Sequence, residues 1–420
     1  VSSTDVARTD VRRAIDAIWR IESARLIAGL ARIVRDVGVA EDLAQDALVA
    51  ALEQWPESGV PDNPGAWLMA AAKFRGIDHL RRSARLDRKH EELARELETQ
   101  SMPDFDSSLD DPVGDDLLRL IFTACHPVLS TEARVALTLR LLGGLTTDEI
   151  ARAFLVPEAT VAQRIVRAKR TLAEARVPFE VPRREELARR LSSVLEVIYL
   201  VFNEGYSATA GEDLVRPALC DDALRLGRIL AELVPDEPEA HGLAALMEIQ
   251  ASRLRARVAP NGEPVLLLAQ NRALWDQLLI RRGLNALKRA EALGGALGPY
   301  ALQAAIAACH ARARTAEATD WERIAALYDA LASISPSPVI ELNRAVAVSM
   351  AFGPAAALEL VDALCDEPSL KHYHLLPTVR GDLLFKLGRR DEARTEFERA
   401  ASLARNARER ALLLARAAAC

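Results

Sequence analysis

The chain has 420 residues, half of them hydrophobic and 27% charged, with 20 Gly and 20 Pro. That is the composition of a globular protein with material for about three domains of roughly 150 residues each, and it excludes a disordered or low-complexity architecture for most of the length. No stretch approaches about 18 uncharged apolar residues, so no helical membrane span is expected, and the polar start VSSTDVARTD does not read as a secretory signal.

Five scattered cysteines, Cys125, Cys220, Cys309, Cys365 and Cys420, form no CxxC pair. Neither a disulfide framework nor a thiolate zinc site is expected, and a reducing, cytoplasmic compartment is. The formal net charge of −6 argues against a nucleic-acid partner until it is resolved along the chain. Residues 67–90 hold seven Lys/Arg against two Asp, residues 91–116 one Arg against ten Asp/Glu, and residues 158–176 five basic against two acidic side chains. Two basic helical stretches flanking an acidic one carry more information than the total.

Ala, Leu, Arg and Glu dominate at helical spacing almost throughout, so the fold class is all-α. Residues 5–90 read as several helices, broken at Gly38 and at Pro56–Pro64. Residues 91–115, with SMPDFDSSLDDPVGDD, read as an acidic linker. Residues 116–180 are again helical and end at Pro178 and Pro182. Residues 183–420 form a wholly helical extension. Within it the β-like run VIYLVF (Val197–Phe202) belongs to a buried helix, and Glu263–Leu268 is its one short extended piece.

The best motif is GLTTDEIARAFLVPEATVAQRIVRAKRTLAEA, Gly144–Ala175. Thr146 and Glu149 have the spacing of a capping box, and Leu155-Val156-Pro157 makes a turn. In the second helix Val161, Ile165, Ala168 and Leu172 form the buried stripe. Thr160, Gln163, Arg164, Arg167 and Arg170 lie on the opposite face, with donors suited to base edges and phosphates. That is a helix-turn-helix.

On these residues the chain resembles the extracytoplasmic-function class of the sigma-70 family of bacterial transcription initiation factors, whose region 4 reads the −35 promoter element. Upstream, GVAEDLAQDALVAALEQW (Gly38–Trp55) resembles the region 2 helix that docks on the polymerase clamp. The resemblance gives it a polar face of Glu41, Asp42, Gln45 and Asp46 and a buried face of Leu43, Ala47, Leu48 and Leu52. NPGAWLMAAAKFRGIDHLRRSAR (Asn63–Arg85) resembles the segment that melts and reads the −10 element. Implied contacts there are Trp67, Lys73, Phe74, Arg75, Arg81, Arg82 and Arg85, with Phe74 standing where family members often carry Asn. A positive stretch with aromatics suits single-stranded DNA. The implied partners are core RNA polymerase and promoter DNA, with no membrane partner.

The extension resembles that of a subgroup with tetratricopeptide-like (TPR-like) repeats after region 4. Phe122–Val156, Val197–Thr209 and the spacing of Gly381, Leu384, Gly388, Ala393, Phe397 and Ala400 carry this likeness. Helix pairs recur at 299–314 with 320–333, 338–352 with 354–365, and 373–388 with 391–403. Where that subgroup has Gln-Asp-Arg, this chain has Gln270-Asn271-Arg272. Stacked hairpins fit a regulatory protein contact, made within the chain or with another protein.

No catalytic residue, metal site or cofactor motif is expected. His372-Tyr373-His374 does not put two imidazoles on one helix face. Cys125-His126-Pro127 reads as a helix end, and Gly205 in Phe202–Tyr206 as a helix C-cap. Three rivals stand beside the initiation-factor reading: a TPR-like scaffold, a repressor or activator that binds duplex DNA unaided, and a hydrolase within the extension.

Overall fold

The computed structural model describes residues 3–75, 113–154, 156–182, 184–208, 214–260 and 262–420. Within them the chain is helical apart from its loops, with an isolated antiparallel bridge, Val258 to Pro264, of which only Pro264 falls in the stretch expected to be extended. Packing divides it into two compact units, Val1–Val197 and Ile198–Cys420. The 91–115 linker lies outside the described residues up to residue 112, and so do Arg81, Arg82, Arg85 and Leu155.

In the first unit α1 (Ser3–Val34) packs along α2 (Val37–Ser58). The break between them falls at Arg35 and Asp36 rather than at Gly38. Arg35 takes φ 54°, and the Asp36 carboxylate accepts from Gly38 N at 2.7 Å and Val39 N at 3.0 Å, so Gly38 sits in the first turn. Likewise α2 runs through Pro56 and stops at Gly59, whose φ of 82° favours glycine. Helix α3 is described over residues 64–75. Its Trp67 meets the fully buried Trp55 edge-on at 5.3 Å, so Trp67 is half core.

The contact stripe of α2 is Ala40, Ala44, Ala47 and Ala51, with Leu43 and Trp55 beside it. Leu52, expected inside, is 40% exposed, and Glu41, expected outside, is 3% exposed. The small side chains face the neighbours because they let helices approach closely, which turns the buried arc away from Leu52.

Helices α4 (Val113–Ala124), α5 (Thr131–Leu141), α6 (Thr147–Phe154) and α7 (Glu158–Glu174) complete this unit together with the start of α8 (Arg184–Tyr206). Ser193 donates to Cys125 O at 2.8 Å, Arg190 donates to Phe122 O at 3.0 Å, and Val194, Leu195 and Val197 are buried. The first unit therefore reaches past Pro182, where the sequence placed the boundary.

The second unit begins within α8 and continues as α9 (Pro217–Leu233), α10 (Pro238–Ala251) and α11 (Gln277–Ala292). The paired helices follow: α12 (Pro299–Arg312) with α13 (Trp321–Ile334), α14 (Pro338–Phe352) with α15 (Pro354–Asp362), and α16 (Leu375–Lys386) with α17 (Arg390–Leu403). Helix α18 (Ala407–Ala418) closes the array. In the α16–α17 pair a Cβ on Gly381 would meet the Phe397 ring at 3.0 Å, and Gly388 turns the chain with φ 79°. Arg380 ties α15, α16 and α17 together through Asp362 at 2.8 Å and Glu396 at 2.7 Å.

Gly205 is not a cap. It lies inside α8, where a Cβ would stand 2.7 Å from Cys220 N, so its role is close approach of α8 to α9. Asn271 caps the short turn that follows it, its Oδ1 accepting from Ala273 N at 3.0 Å. A side-chain amide there does what an aspartate would do, which accounts for the departure from Gln-Asp-Arg.

Candidate nucleic-acid interface

The entry to α6 is built by the Thr146 and Glu149 capping box. Glu149 N donates to Thr146 Oγ1 at 3.2 Å and Thr146 N donates to Glu149 Oε2 at 2.8 Å. Arg20 from α1 reaches the same carboxylate at 2.7 Å. Partial burial pushes the Glu149 carboxyl upward, but the Thr146 N–H and the Arg20 charge outweigh it and hold it below the usual range.

Pro157 precedes the first turn of α7, where its missing N–H costs nothing. Val161, Ile165, Ala168 and Leu172 are buried, as their spacing requires. On the other side Gln163, Arg167 and Arg170 are exposed, while Thr160 and Arg164 are half-buried. Arg170 also pairs with Glu174 at 2.6 Å, both well exposed, a contact of little energetic weight in water. The five residues therefore share one polar face of one helix.

The polar residues expected on α2 are divided by the fold. Asp42 and Asp46 are exposed and Gln45 is half-buried. Glu41 is the correction: its Oε1 accepts from Arg140 Nε at 2.6 Å and from Gln45 Nε2 at 2.6 Å, and its Oε2 lies 2.5 Å from Lys169 Nζ. Lys169 also lies 3.6 Å from Asp42. A carboxylate from the N-terminal helices is thus held by one cation from α5 and one from α7. The spacing carried no signal for this, since position 41 lies about 60° around the helix from Ala44, outside the arc of the buried alanines.

On α3 Lys73 is half-buried, Phe74 is 80% exposed, and Arg75 is exposed with a donor on Asp46 O. Phe74 therefore offers an exposed ring on this helix.

The remaining chemistry-bearing residues are structural. Cys125 is buried, which pushes its thiol up to about 11, and its Sγ lies 3.3 Å from Thr138 Oγ1. Burial, with the Arg190 charge, pulls His126 down to about 4, and its Nδ1 accepts from Val128 N at 3.1 Å. Among the described residues no His, Cys, Asp or Glu cluster has the geometry to hold a metal ion, and no helix is long and apolar enough to cross a membrane.

Comparison with known proteins agrees with this geometry. Residues 21–86 match the family Sigma-70 region 2 and residues 119–172 match Sigma-70, region 4. Residues 190–291 match a family of unknown function, DUF6596. An uncharacterized protein of Rhizobium meliloti is 46% identical over 393 residues, 92% of this chain and 91% of that protein. The probable ECF RNA polymerase sigma factor SigI of Mycobacterium tuberculosis is 28% identical over 173 residues, 40% of this chain and 57% of that protein.

Proposed function

Because the chain belongs to the sigma-70 family, as a factor of the extracytoplasmic-function class with a helical extension behind region 4, we propose that it reads the −35 element through Thr160, Gln163, Arg164, Arg167 and Arg170 of α7. The chain itself is a non-enzymatic subunit that promotes transcription initiation with core RNA polymerase at promoter DNA. Its place of action on this reading is the cytoplasm. The observation that carries the α7 assignment is the separation of its two sides, a fully buried apolar stripe and an amide- and guanidinium-bearing face. Side chains on such a face reach base edges without disturbing the core, each contact worth about 1–3 kcal/mol.

Asp42, Gln45 and Asp46 are assigned to the polymerase clamp. Trp67, Lys73, Phe74 and Arg75, with Arg81, Arg82 and Arg85 from outside the described residues, are assigned to the −10 strand. Glu41 contributes to docking only when Arg140 and Lys169 release it. The test is transcription in vitro with purified core enzyme. Arg164→Ala and Arg167→Ala lose promoter-dependent transcripts at unchanged helicity. Parent-level transcription from both variants would remove the assignment.

The extension is read as TPR-like and regulatory, acting through protein contacts. Residues 181–420 hold 30 Lys/Arg against 31 Asp/Glu, so long-range attraction to phosphate is weak. The segment before α11 exposes Leu266, Leu268 and Leu274, side chains that a protein partner would cover.

A further inference from the structure

The extension holds a half-open cavity of about 210 Å³ whose walls come from α10, α12, α13, α14 and the segment after α10. Its polar lining includes Arg253, Gln250, Gln303 and His310, and its apolar lining includes Ile306 and Ile340. Arg253 is 7% exposed. One of its N–H groups goes to Gln250 Oε1, its Nε has no acceptor, and no carboxylate among the described residues pairs with it. The other buried charges of the extension differ. Glu248 is met by Arg228 at 2.7 Å and Glu396 by Arg380 at 2.7 Å.

A buried guanidinium without a counter-charge is costly, and the Tyr206 and Trp275 rings at 5.9 and 5.8 Å offset only part of that cost. His310, also 7% exposed and lining the same cavity from α12, leaves Nδ1 without a partner. Burial, and then the Arg253 and Arg272 charges, lower its pKa to about 4, so at neutral pH it adds a hydrogen-bonding group and no charge. No Asp or Glu lines the cavity.

We propose that this cavity is a binding site for an organic monocarboxylate, held by its carboxylate on the Arg253 guanidinium with its apolar body against Ile306 and Ile340. The planar fork of arginine matches a carboxylate. A phosphate would bring close to two charges where Arg253 is the one cation in the lining, and a metal ion would be repelled. The cavity is smaller than the roughly 300–1,000 Å³ of drug-sized pockets. The occupant is accordingly a small free acid or the C-terminal carboxylate of a peptide, which share this chemistry. The inference is independent of promoter reading, and its test uses no transcription.

Titration calorimetry on the full chain at neutral pH compares 3-phenylpropionate with its neutral amide, and acetyl-Ala-Ala-Leu bearing a free C-terminus with the amidated peptide. The acids bind and the amides do not. Arg253→Met weakens binding at least tenfold and Arg253→Lys less, since the charge stays but the fork is lost. Because Arg253→Met removes a buried side chain, Ile340→Trp supplies a second arm. It fills the cavity from a half-buried position, leaves Arg253 intact, and abolishes binding with little change in thermal unfolding. Tighter binding of the peptide acid identifies a chain terminus as occupant, and tighter binding of phenylpropionate a free acid. Equal binding of acid and amide, no binding of either acid up to about 10 mM, or parent-like binding by Ile340→Trp overturns the proposal.

Discussion

The two units treat buried charge in opposite ways. In the first, the Glu41 carboxylate is answered by Arg140, Lys169 and Gln45 within 2.6 Å, and the cluster joins α2, α5 and α7. In the second, Arg253 is also buried but lines a cavity with amides and a neutral imidazole in place of a carboxylate. A closed ion cluster orients helices. An open one leaves a donor set waiting for an acceptor, and only the first kind is accounted for by folding alone.

The comparison can be broken at the level of the whole unit. A chain ending at residue 182 loses Leu191, Val194 and Leu195, each worth about 1.5–3 kcal/mol as an upper estimate. A chain ending at residue 197 keeps them. We expect the longer fragment to retain a cooperative thermal transition and the shorter one to lose it or melt far lower, by circular dichroism. Equal melting would show that the Glu41 cluster needs nothing from α8.

Glu41→Ala strands Arg140 and Lys169 in poorly hydrated surroundings and should cost about 3 kcal/mol of stability in denaturant unfolding. A change below about 1 kcal/mol would mean that the cluster is relaxed by solvent.

The open cluster is sharpened by acid. His310 stays neutral in the folded protein down to about pH 4, whereas in the unfolded chain it titrates near 6.5. Between those values the unfolded state binds more protons, so stability falls as pH falls through that window and levels off below it. The difference corresponds to roughly 3 kcal/mol for a fully buried ring, and less if water reaches it. Unfolding curves from pH 7 to 4 should show this slope in the parent and a shallower one in His310→Gln.

The exposed Arg167 and half-buried Arg164 of α7 form a third case, with neither an internal carboxylate cluster nor a cavity to serve. Arg164→Ala and Arg167→Ala should change stability by less than about 0.5 kcal/mol. Their cost falls on promoter binding instead, about 1–3 kcal/mol, or roughly 5–150-fold, in a competition assay with polymerase present. The smallest structural effect is expected from Asp42→Arg and Asp46→Arg, which alter exposed positions. Melting should hardly move while retention by immobilised core polymerase drops. Undiminished retention of both variants would take the clamp surface away from α2.

Much of this is legible in local sequence signals. The α6 capping box, the α7 stripe and the three repeat pairs fall where spacing put them, because each depends on side chains within one or two turns of each other. The α2 face was read less well. Leucines are larger and more apolar than alanines, so a hydrophobicity count favours Leu52, yet close helix approach selects Ala40, Ala44, Ala47 and Ala51. Pro182 punctuates the backbone just before α8, whereas packing of α8 against Phe122 and Cys125 carries the compact unit on to Val197.

By itself, then, the sequence determined the helical periods, the α6 capping box, the basic face of α7 and the family, since these are contiguous patterns that need no knowledge of neighbours. Tertiary structure alone decided that Glu41 lies inside and meets Arg140, 99 residues away, and that Arg253 lies inside without a carboxylate. Burial and pairing of a charge depend on which distant helices arrive beside it, and no local pattern encodes that meeting.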